Sequence, residues 1–190
     1  MSMALRKLNG SFSPFRKFAI ELKINHFAGE HQPLFQLNSL FPECASYFKF
    51  AFVRSPWERM ISSYFLKKRQ PHNFPGEQYA DFDDYIHTVL AGPTWKKFPA
   101  DNIPQVAYLT PNGSLNMSLG VDFVGRFENL ANDYDELQKR IGIHLPPMPH
   151  INKTNHKDYK EYYTKESKEL VKKCFAADVD YFDYVFSIKL

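Results

Sequence analysis

Residues 47–65, YFKFAFVRSPWERMISSYF, decide how the rest of the chain is read. Tyr47 to Val53 is an apolar run with the aromatic and β-branched content of a buried strand. It stops at Arg54, and a helix is expected at once. Ser55 is a favourable N-cap, Pro56 suits the first helical position, and Ser55 with Glu58 spells an S-x-x-E capping box. Trp57, Met60, Ile61, Tyr64 and Phe65 recur as one apolar helical face, with Ser55, Arg59 and Ser62 on the other side. A strand running into a helix, with an arginine at the junction, suits an anion. Free backbone N–H groups and the positive end of the helix dipole meet a guanidinium fork there. Arg54 and Ser62 could converge on one phosphate. A core helix with surface polar residues would show the same spacing.

Working outward, the 190 residues suit one domain with a sizeable core. Hydrophobic residues make up 44% and aromatics 16%, which places the chain among globular proteins and outside the disordered class. The net charge of +3 is too small to suggest a nucleic-acid binder. Its distribution says more. Residues 1–70 carry 11 Lys and Arg against 4 Asp and Glu, and the remainder 13 against 17. The basic part holds Arg54, which fits an anionic ligand, as would a generic basic surface. Cys44 and Cys174 make no disulfide framework and read as core residues. No apolar run reaches the ~18 residues of a transmembrane helix, and MSMALRKLNGSF lacks the apolar stretch of a signal peptide. A cytoplasmic location is the default. A Golgi lumen would require an N-terminal anchor missing from this chain.

Along the chain, helices are expected near 15–23, after Pro33, over 56–69, along Tyr79, Phe82, Ile86 and Leu90, over 129–141 ending at Gly142, and over 165–176. Val106 to Leu109 reads as a short strand, and Val121 to Phe127 as a strand with Gly125 inside it. Alternating helices and strands argue for an α/β layer architecture with a parallel sheet flanked by helices.

The segment FAFVRSPWERMISSY resembles the 3′-phosphate-binding motif, V-R-N-P-[WY]-[DE]-R-x-x-S-x-Y, of sulfotransferases that use 3′-phosphoadenosine-5′-phosphosulfate (PAPS). It is most similar to the branch of carbohydrate O-sulfotransferases and their bacterial relatives. GEHQPLFQL, VDFVGRFENLANDYDELQKRIGI, and HINKTNHKDYKEYYTKESKELVKKCFAADVDYFDYVF resemble further family segments, so the likeness spans residues 29–186. The resemblance implies a single P-loop-NTPase-like three-layer domain over residues 1–190. It implies PAPS as sulfuryl donor, a hydroxyl acceptor on a carbohydrate, and no metal. Arg54 and Ser62 match the two 3′-phosphate ligands.

One family feature is not in good form. Members open with a strand, then H-x-P-K-T-G-G-[TS]-S, then a helix, a loop that wraps the 5′-phosphosulfate. The nearest match here is Lys7-Leu8-Asn9-Gly10-Ser11-Phe12, which keeps the lysine, a glycine and a hydroxyl but lacks the preceding proline and one glycine. The chain is thus expected to be N-terminally truncated or shortened, to keep a degenerate loop with Lys7, Gly10 and Ser11 against the 5′-phosphosulfate, or to be a variant with little transferase activity.

Sulfuryl transfer to a hydroxyl needs a base, in-line approach and positive charge at the leaving phosphate. His31, in the GEH segment, is the candidate base, because an imidazole takes a proton near neutral pH. A surface histidine at a helix start reads the same way. Asn152, Lys153, Thr154 and Tyr159 fall in the segment resembling the family's nucleotide-covering loop, with Tyr159 available to stack near adenine. Arg126, Trp95, Lys96 and Gln105 are candidate acceptor contacts, since carbohydrates stack on aromatics and acidic glycans favour cations. Arg126 could equally pair with Glu128, and Trp95 could simply anchor its proline-rich segment.

Overall fold

The computed structural model describes residues 2–4, 32–73, 78–91, 103–115, 118–147 and 157–186. The chain folds into two compact units. Residues Met1–Val53 and Gln105–His144 form the first, and Arg54–Pro104 and Leu145–Leu190 the second.

The first unit is built on a sheet of order β1-β2-β3, with β1 at Ser2–Ala4, β2 at Lys49–Val53 and β3 at Phe123–Arg126. β2 and β3 are parallel, as the sequence predicts, with Phe50 opposite Phe123 and Phe52 opposite Gly125. β1 departs from the expected all-parallel sheet, pairing antiparallel with β2. Alternation along β2 and β3 puts Phe50, Phe52 and Phe123 on one face. There Phe48, Phe50, Phe52 and Phe123 pack with Tyr134, Leu137 and Ile141 of helix α5, Leu130–Ile141. Ala51, Val53, Val124 and Arg126 point the other way. Asp122 clasps the start of the β2–β3 pairing from both sides. Its carboxylate accepts from the Lys49 N–H at 2.7 Å, and its own N–H donates to the Lys49 carbonyl at 2.8 Å.

Gly142 closes α5 as expected, with φ of 66°, a left-handed conformation that costs a residue without Cβ little. Helix α1, Leu34–Leu40, buries Leu34 and Leu37. The stretch expected as a short strand is instead helix α4, Gln105–Leu109. It buries Val106 and Leu109, a spacing of three that one helical face supplies. Four apolar-rich residues cannot distinguish the two forms by periodicity.

The second unit holds helices α2 at Pro56–Arg69, α3 at Phe82–Leu90, α6 at Lys165–Cys174 and α7 at Ala176–Tyr181. α2 has the predicted bounds and buries Trp57, Met60, Ile61 and Tyr64 of the predicted stripe, while Phe65 is only half-buried. α3 buries Phe82, Tyr85, Ile86 and Val89, and α6 with its continuation buries Val171, Phe175 and Val179. Aromatic rings join these elements edge to face, including Tyr64 with Phe82 at 5.5 Å and Phe82 with Tyr163 at 4.8 Å. Among the described residues no helix is long and apolar enough to cross a membrane.

Candidate functional site

The chain leaves β2 at Val53 and enters α2 at Pro56, so Arg54 and Ser55 form the junction. Pro56 has no N–H to leave unsatisfied, and its fixed φ preorganises the first turn. The capping box expected from Ser55 and Glu58 does not form, because the Ser55 side chain makes no capping hydrogen bond. Glu58 turns instead to Arg54, whose Nε donates to Glu58 Oε2 at 3.1 Å. A charge-assisted bond to a guanidinium outcompetes a bond to one backbone N–H. The two side chains are 21% and 26% exposed, so the pair is neither sealed in the core nor fully in water.

This bond has consequences for an anion. It fixes the root of the Arg54 guanidinium on the helix that begins beside it. Glu58 further places a negative charge in the first turn, where the helix dipole favours one. An anion on Arg54 therefore binds against the local repulsion of Glu58. Ser62 lies seven residues past the N-cap, almost two turns along, on the side away from the buried stripe. It is half-buried, as is Arg54 at the junction before the helix, so both keep solvent access.

Arg59, which the sequence placed only as a polar residue opposite the apolar stripe, has a structural task. Its Nη1 and Nη2 both donate to the Ile103 carbonyl, at 3.2 and 3.3 Å, and its guanidinium lies 4.5 Å from the centre of the Phe175 ring. It thereby holds the Ile103 end of the segment that precedes α4.

The turn Tyr159–Tyr162 and the residues after it are tied to the same helix. The Tyr163 hydroxyl donates to the Trp57 carbonyl at 2.9 Å, and the Trp57 indole N–H donates to the Lys168 carbonyl at 3.1 Å. Burial, and next the neighbouring Tyr159, hold the Tyr163 phenol well above its ordinary range, so it stays a neutral donor. Tyr159 is half-buried, edge-on to Phe186 at 5.4 Å and to Tyr163 at 6.5 Å, with Lys160 Nζ 5.5 Å from its ring centre. Thr164 caps α6 in a box with Ser167 and also donates to Asp83 Oδ1 at 2.8 Å. The Ser167 hydroxyl, then the Thr164 hydroxyl, hold the Asp83 carboxyl below its usual value, while burial opposes them and His87 adds to the lowering.

In the first unit, Arg126 ends β3, where its backbone N–H donates to Asp133 Oδ2 at 2.5 Å and its side chain is half-buried. Gln105 opens α4 and is also half-buried. Lys7, Gly10, Ser11, His31, Trp95, Lys96, Asn152, Lys153 and Thr154 lie outside the described residues.

The arrangement missed from sequence is the one linking Trp57, Tyr163 and Thr164. Its only sequence trace is T-x-x-S at 164–167, a capping box with serine in place of the usual Glu or Gln.

Comparison with known proteins adds two findings. The sequence profile of the sulfotransferase family matches residues 15–185. An uncharacterized protein of Archaeoglobus fulgidus is 33% identical over 97 residues, covering 51% of this chain and 69% of the relative. No solved structure matches.

Proposed function

We propose, from the premise that this chain belongs to the sulfotransferase family, that it moves a sulfuryl group from PAPS to a hydroxyl, with a carbohydrate as acceptor. The observation that carries the reading is Arg54. It is a partly exposed guanidinium braced by Glu58, directly before a 14-residue helix whose first-turn N–H groups suit a phosphate. Arg54 and Ser62 would hold the 3′-phosphate, which anchors the donor without taking part in bond making. Asn152, Lys153, Thr154 and Tyr159 would cover the nucleotide. Lys7, Gly10 and Ser11 would face the 5′-phosphosulfate.

The acceptor oxygen attacks sulfur in line as the bond from sulfur to the bridging phosphate oxygen breaks. The sulfuryl group passes to the acceptor, and adenosine 3′,5′-bisphosphate leaves. His31 would take the hydroxyl proton. Gln105, Arg126, Trp95 and Lys96 would contact the acceptor. An aromatic there suits a sugar face, and cations suit an acidic glycan.

The test has two arms. In calorimetry, adenosine 3′,5′-bisphosphate binds the wild type, and Arg54→Ala weakens that binding by about 2 kcal/mol or more, the loss expected for a charge-assisted hydrogen bond to phosphate. Unchanged affinity in a folded Arg54→Ala protein removes the site. Transfer of label from PAPS to a panel of glycans then tests turnover, which His31→Ala lowers without changing nucleotide affinity. Binding without turnover on any acceptor would mark the chain as a nucleotide-binding module that lacks the sulfuryl-transfer loop.

A further inference from the structure

The first turn of α2 has to be held still if Arg54 is to present a fixed charge to a phosphate. Within the second unit two hydrogen bonds meet on one residue of that turn. Trp57, 1% exposed, accepts at its carbonyl from the Tyr163 hydroxyl and donates from its indole to the Lys168 carbonyl. Its ring stands edge-on to Phe186 at 5.4 Å. Tyr163 is itself fixed, edge-on to Phe82 at 4.8 Å and to Phe186 at 5.4 Å. The next residue, Thr164, is bonded to Asp83 on α3. The turn 159–163 is therefore pinned to α3 on one side and to the start of α2 on the other. Trp57 stands directly before Glu58, the residue that braces Arg54.

We propose that Tyr163 is a positioning residue for the 3′-phosphate site. Its phenol fixes the Trp57 carbonyl, and with it the first turn that sets the Arg54–Glu58 pair. The proposal rests on the 3′-phosphate reading of Arg54 and extends it. The turn that ends the nucleotide-covering segment and the phosphate-binding arginine act as one unit, so the protein's preference for a 3′-phosphate depends on Tyr163, a group that touches no ligand. A tyrosine that served only packing would affect stability and all nucleotides alike.

Tyr163→Phe tests this, because it keeps the ring and removes only the donor. Two probes are titrated by calorimetry, adenosine 3′,5′-bisphosphate and adenosine 5′-monophosphate. The wild type prefers the bisphosphate. Tyr163→Phe narrows that preference about threefold to tenfold, the span of one hydrogen bond, and leaves the monophosphate affinity in place. An unchanged preference in the folded variant overturns the proposal while leaving the Arg54 site standing. A wild type with no preference removes the site reading itself, and the proposal with it. Should Tyr163→Phe fail to fold, hydrogen exchange on the wild type decides. The bisphosphate should slow exchange over 57–60 and 160–164 together. Protection confined to 57–60 overturns the coupling.

Discussion

Gly125→Ala is the most direct test of how the sheet beside Arg126 is packed. A Cβ at Gly125 would lie 2.6 Å from Phe52 Cδ1 and 3.0 Å from its Cζ, with Cε1 closer still. Phe52 is the residue paired with Gly125 across the β2–β3 ladder, and its ring also meets Phe50 and Phe123 at 6.5 and 6.3 Å. The ring can yield only by giving up those contacts. Overpacking of this kind costs about 1 to 3 kcal/mol. Replacing glycine returns about 0.4 to 1 kcal/mol by restricting the unfolded chain. The net loss is about 1 to 2 kcal/mol, which for a chain of this size lowers Tm by about 3 to 6 °C. Thermal and urea denaturation read the loss. The decisive measurement is the double variant with Phe52→Ala. Without the ring, Gly125→Ala should cost almost nothing, giving a coupling of about 1 kcal/mol or more. An equal loss in both backgrounds would show that Phe52 is not what requires the glycine.

Two further outcomes follow from side chains whose partners are now known. Arg59→Ala loses a two-pronged grip on the Ile103 carbonyl and the contact with Phe175. It should lower stability by about 2 to 3 kcal/mol in denaturant titrations, and Arg59→Lys should recover about half, since lysine keeps the charge but not the fork. Asp83 has its carboxyl lowered in the folded state, so it stabilises the fold above the unfolded carboxylate pKa of about 3.9, and that contribution fades as pH falls through the lower folded value. Asp83→Asn should therefore be less stable than the wild type at neutral pH, and the difference should shrink in acid. A difference independent of pH would remove the ionised carboxylate from the account.

What the sequence made legible was periodic. α2 was readable to its bounds because Pro56 opens it and Trp57, Met60, Ile61 and Tyr64 repeat at helical spacing. Gly142 announced the end of α5 through its conformational freedom. The Ser55–Glu58 box followed a sound local rule and failed because Arg54, one residue outside the motif, offered Glu58 a better partner. Val106 to Leu109 failed as a strand, lying instead in the helix Gln105–Leu109, because so short a run carries no period. The Tyr163–Trp57 bond joins residues 106 apart and leaves no pattern at all in the string of letters. In the candidate site, Arg54 and Ser62 were singled out by the strand-to-helix junction and helical spacing and then matched by a motif resemblance, whereas Glu58 as brace and Tyr163 as anchor needed coordinates.

The double clasp of Asp122 on Lys49 sits at one end of the paired strands, and Arg126 closes the other. A pleated strand shows its side chains to opposite sides in turn, so sliding β3 by a single step would swing every one of them through the sheet. Arg126 would then be aimed at the phenylalanine layer under α5, and Gly125 would no longer make room for Phe52. The carboxylate at the strand entrance thus reinforces the register that decides on which side a cation emerges at the exit, and an Asp122→Ala chain would keep the backbone half of the clasp and lose the other without touching the arginine.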